Sequence, residues 1–90
     1  MHMVTVVLCG PGNAALSADV LDVLWVVASF EDGVEHLHAG CPEGGGLGYL
    51  TFFLTAPTWE AAVVSARGMA RRALESAPVL NGWHLMPGCL

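Results

Sequence analysis

His36 and His38 are the side chains whose type and spacing best suit chemistry in this 90-residue chain. They lie in an alternating stretch, residues 34–39, and at i and i+2 on a strand they point the same way. Imidazoles are suited to moving protons. They hold a metal ion only when a third donor converges on them. Cys9, Cys41, Glu35 and His84 are the conceivable third donors. On a regular strand Glu35 faces away, however, and Cys41 lies beyond the break at Cys41-Pro42-Glu43-Gly44-Gly45-Gly46. No zinc-ligand spacing occurs. The expectation is therefore polar residues on an open sheet face, with no metal and no cofactor.

Tyr49 and His84 are further acid–base groups, and Phe53 and Trp83 could wall a site for a small, partly apolar molecule. A nucleophile–base–orienter set is missing, so no catalytic residue is assigned. Ser17 reads as a helix cap, Ser65 as a helix-surface residue, and Cys9 as a buried thiol with no base near it in sequence. Gly10-Pro11-Gly12-Asn13 is a turn without a phosphate-loop or dinucleotide fingerprint. The expected ligand-binding set is His36, His38, Tyr49, Phe53, Trp83 and His84.

The elements that must position these residues follow from periodicity. Residues 49–55 carry the strongest strand pattern, dense in aromatic and β-branched side chains. Leu50, Phe52 and Leu54 share one apolar face; Tyr49, Thr51, Phe53 and Thr55 share a mixed one. A long helix follows, starting near Pro57 or Thr58 and ending before Pro78. Its stripe is Trp59, Ala62, Val63, Ala66, Met69, Ala70, Ala73 and Ala77, with Trp59 and Met69 expected to supply much of the contact volume against the sheet. Residues 4–9 form a first strand. Ser17 starts a second helix, with Asp19 in its first turn, that ends at Glu31-Asp32-Gly33. Its wide apolar surface, including Trp25 and Phe30, could meet a second helix or a partner. In residues 34–39, Val34, His36 and His38 alternate with Glu35, Leu37 and Ala39. Residues 79–86 form a last strand interrupted at Asn81-Gly82.

The order strand, helix, strand, strand, helix, strand predicts an α+β ferredoxin-like βαββαβ sandwich. Right-handed crossovers put both helices on one face of a four-stranded antiparallel sheet and leave the other face bare. At the level of fold alone, the chain resembles the ferredoxin-like superfamily, which includes dimeric α/β-barrel proteins and ACT-like regulatory domains. That resemblance implies an architecture and no residue roles, because the fold hosts many functions.

Composition sets the outer limits. A chain of this length forms one domain, expected over residues 3–90, with Met1-His2 ahead of Met3 reading as a cloning remnant. Hydrophobic residues make up 54% of the sequence, above the roughly 45–50% typical of globular domains. Small domains bury only about 60–65% of their extended surface. The apolar excess thus points to a homodimer. The net charge is -5, and the three basic residues, Arg67, Arg71 and Arg72, share one helix with Glu75. A nucleic-acid partner is not expected. No apolar run is long enough to span a bilayer, and no signal peptide is evident, so a cytoplasmic location without membrane association is expected. The three cysteines, Cys9, Cys41 and Cys89, form no disulfide framework.

These features converge on a small dimeric binding or regulatory module that uses its open sheet face for a small ligand or a protein partner. Two other readings compete: a small α/β-barrel-like enzyme using histidine acid–base chemistry on a partly apolar molecule, and a structural or assembly protein.

Overall fold

Alternation builds the core before any helix is considered. In the computed structural model, which describes residues 1–12, 15–28, 33–41 and 45–86, strand β1 (His2–Cys9) buries Val4, Val6 and Leu8 on one side. Strand β3 (Leu47–Leu54) does the same with Leu50, Phe52 and Leu54. The two strands pair antiparallel from His2 opposite Leu54 to Cys9 opposite Leu47. Residues directly opposite share a face of the sheet, so these apolar rows merge into one surface.

Strand β2 (Val34–Gly40) pairs with β3 on one side of this centre, and β4 (His84–Leu85) pairs with β1 on the other. The sheet is antiparallel with order β2-β3-β1-β4. Helix α1 (Val20–Ala28) and helix α2 (Trp59–Ser76) cover the apolar face. This is the ferredoxin-like βαββαβ sandwich expected from the sequence. The sheet stays open, with β2 and β4 as its edges, so a barrel enzyme built within one chain has no support.

Helix α2 starts where its cap chemistry allows. The Ala61 N–H donates to Thr58 Oγ1 at 3.0 Å, satisfying one orphan donor of the first turn. Ala62, Ala66, Met69, Ala70 and Ala73 are buried. Small side chains let the helix lie close to the sheet, and Met69 supplies the volume. Trp59 does not join that stripe. It is 49% exposed, and its ring lies 6.1 Å from the His2 ring. It packs at the end of the sheet, beside the first residue of β1, rather than within the buried stripe. His2, expected to belong to a cloning remnant, is part of β1, and its Nε2 donates to the Ala56 carbonyl at 3.3 Å.

Helix α1 begins later than its cap signal suggests. The Asp19 N–H donates to Ser17 Oγ at 3.2 Å, and the Val20 N–H bonds the Ser17 carbonyl. A turn thus precedes the helix, and Asp22, not Asp19, occupies the first helical turn. Val20, Leu24, Val27 and Ala28 are buried, while Trp25 is 45% exposed. Phe30 and the Glu31-Asp32 helix end lie outside the described residues.

The last strand is much shorter than residues 79–86. Pro78–Leu80 form a 3-10 turn, Gly82 has φ 87°, and pairing begins only at His84. Pro78 has no N–H to donate to a ladder, and Leu80 is drawn into the core. The tail beyond Met86 is outside the described residues.

Candidate functional site

The uncovered face of the sheet is read directly from the register. Across β2, β3 and β1 it carries the row His36, Phe53 and Met3, then His38, Thr51 and Thr5, then Gly40, Tyr49 and Val7. Leu47 and Cys9 follow, with His84 on β4 opposite Cys9. Met3 is 58% and Tyr49 38% exposed, whereas Val7, Phe53, Thr5 and Thr51 are half-buried among their neighbours. Among the described residues, nothing buried is polar or charged. The polar groups are therefore concentrated on surfaces such as this one.

The first two rows have defined contacts. The His36 and Phe53 rings lie 5.5 Å apart and are tilted by 49°, an aromatic pair of the kind that stabilises a sheet face. The Thr5 and Thr51 hydroxyls lie 3.2 Å apart across β1 and β3. With His38 in register beside Thr51, a polar band crosses the face between the Phe53 row and the Tyr49 row.

Four of the expected ligand-binding residues are thus neighbours: His36, His38, Tyr49 and Phe53 lie together on β2 and β3. His36 and His38 share the open face, as alternation predicts, but Val34 does not join them there. A register shift between Val34 and His36 places a bulge at Glu35, so Val34 turns toward the core while both histidines stay outside.

The other two residues are not in this group. Trp83 is 8% exposed and belongs to the core. Its ring lies so close over Gly10 that a Cβ there would approach it to 2.7 Å. His84 is on the open face but at the opposite corner. Three strand spacings across, and the distance from Thr5 to Cys9 along β1, separate it from His38 by about 20 Å. Its immediate neighbour is Cys9, a half-buried thiol on the open face. The imidazole missing from the local sequence around Cys9 stands opposite it across the sheet.

The helix side offers different concavities. One, of about 300 Å³, lies between the start of α1 and the end of β2 and is lined by Leu16, Ser17, Val20, Leu21 and Cys41. The Leu16 N–H donates to Cys41 Sγ at 3.0 Å in its wall. Another, of about 370 Å³, lies between α1 and the 3-10 turn, against Val23, Val26, Val27 and Val79. Neither includes the histidines.

Among the described residues, no three His, Cys, Asp or Glu side chains cluster in a metal-binding arrangement. No described helix is long and apolar enough to cross a membrane. Compared with family models, curated proteins and solved structures, the chain matches none of them.

Proposed function

We propose that residues 3–90 act as a single-domain homodimeric binding module, in which the open sheet face packs against a second copy of the chain. The pair would enclose a small, partly apolar ligand between the two sheets. His36, His38, Tyr49 and Phe53 would line that space, with His38 and the Thr5–Thr51 pair supplying hydrogen bonds and the aromatic rings supplying apolar contact. The observation that carries this reading is the composition of the uncovered face. Met3, Val7, Tyr49 and Phe53 leave apolar area in water on a domain too small to hide it alone. A reducing compartment such as the cytoplasm suits the free thiols Cys9 and Cys41.

Native mass spectrometry and sedimentation equilibrium of untagged protein test the proposal. The wild type should be a dimer, and Tyr49→Asp should be a monomer with an unchanged far-ultraviolet spectrum. Extra mass on the dimer alone would identify the enclosed ligand. A wild type that stays monomeric at all accessible concentrations would defeat the dimer, and a Tyr49→Asp dimer would move the interface elsewhere.

A further inference from the structure

The corner of the open face where β4 meets β1 gathers two sulfur donors and an imidazole from opposite ends of the described chain. Leu8 pairs with Leu85 on the core side of the sheet, and Cys9 pairs with His84 on the open side. The Met86 N–H continues the ladder by donating to the Val7 carbonyl at 2.9 Å. Met86 is therefore opposite Val7 and, two residues after His84, takes the same side of the pleat as His84. A thiol, an imidazole and a thioether thus share one patch.

Side chains directly opposite on antiparallel strands have Cβ atoms about 4.5–5.5 Å apart, and diagonal neighbours are about 7–8 Å apart, within reach of a long side chain. Cys9 and His84 are a direct pair, and Met86 is diagonal to Cys9. Methionine is unbranched and flexible, so its sulfur can swing across that diagonal. Cys9 is half-buried and His84 exposed, giving a site walled on one side and reachable from the other.

We propose that Cys9, His84 and Met86 form a binding site for a soft monovalent metal ion, Cu(I). Thiolate and thioether sulfur select Cu(I) over harder ions, and imidazole is a good copper ligand. A low-coordinate ion is satisfied by these three donors, whereas a structural zinc site needs four. Carboxylates are absent from the adjoining face positions Val7, Leu47 and Tyr49, which disfavours magnesium, calcium and manganese. Binding forms a Cu–S bond and releases the Cys9 proton to solvent; His84 binds through a neutral ring nitrogen. Copper enters and remains as Cu(I), so no electron is transferred. The site lies within one chain and does not depend on the dimer.

The test is anaerobic titration of reduced protein with Cu(I) in competition with a chromophoric Cu(I) chelator, read together with sulfur and nitrogen coordination by X-ray absorption. Wild type and Cys41→Ser should each bind one Cu(I) at this site with equal affinity. Cys9→Ser and His84→Ala should weaken it by more than the roughly 10–100-fold that loss of an outer-shell partner costs. Met86→Leu keeps the volume and should weaken binding to a smaller degree. Far-ultraviolet spectra establish that each variant is folded, and Cys9→Ala provides a second thiol-free variant should Cys9→Ser fail to fold. Retained affinity in folded Cys9 or His84 variants would overturn the proposal. So would loss of binding in Cys41→Ser, or no Cu(I) bound by folded wild type.

Discussion

Replacing Gly10 by alanine tests whether Trp83 is a core residue, because the two possible placements of the indole give opposite signs. Gly10 is not among the glycines with positive φ, so alanine meets no backbone prohibition there. With Trp83 elsewhere, Gly10→Ala would stabilise the protein by about 0.4–1 kcal/mol through the lower entropy of the unfolded chain. In the structure, however, the new Cβ would approach three atoms of the Trp83 ring to 2.7 Å. That ring is 8% exposed and packed in the core, so it has little room to retreat. Overpacking of this kind costs about 1–3 kcal/mol. The overpacking cost exceeds the entropic gain, and a net loss of roughly 1–2 kcal/mol follows. For a domain of this size that corresponds to a fall in Tm of roughly 4–16 °C. Thermal unfolding would measure it, with tryptophan emission as a second readout, since Trp25 and Trp59 are about half exposed and Trp83 is buried. Trp83→Leu should relieve the clash, giving a coupling energy of about 0.5–3 kcal/mol in the double-mutant cycle. A Gly10→Ala protein as stable as wild type, or strict additivity with Trp83→Leu, would refute the packing described here.

Thr58→Ala removes the acceptor for the Ala61 N–H and should cost about 0.5–2 kcal/mol in urea unfolding. Gly33→Ala should be worse than Gly12→Ala. Both glycines have positive φ, which costs an L-residue about 1–2 kcal/mol. A Cβ at Gly33 would also come within 2.5 Å of the Thr55 carbonyl oxygen, whereas one at Gly12 meets nothing within 4 Å. Equal stability of the two variants in parallel denaturant melts would contradict that difference.

Much of this molecule was legible from periodicity because the relevant forces are local. Val4, Val6 and Leu8, and Leu50, Phe52 and Leu54, alternate so regularly that only one face of each strand could enter a core. Thr58 ahead of an alanine-rich stripe marked α2, and Pro78 ended it. With two helices and four strand signals in that order, chain connectivity left the ferredoxin-like sandwich as the economical arrangement. The shared direction of His36 and His38, and the grouping of Tyr49 with Phe53, followed from the same alternation.

Tertiary packing decided the rest. Trp59 satisfied the helical spacing but sits at the helix start, beside His2 at the end of β1, and stays half exposed. Residues 79–83 have strand-like composition, yet burial of Leu80 and Trp83 favours a 3-10 turn, and that choice removes Trp83 from the open face. A bulge at Glu35 turns Val34 inward, a change set by pairing with β3 and not by the β2 sequence alone. The meeting of Cys9, His84 and Met86 depends on the β1–β4 register, which joins residues at the two ends of the chain. Local sequence sets which way a side chain points along its own strand; only the pairing of distant strands sets what stands beside it.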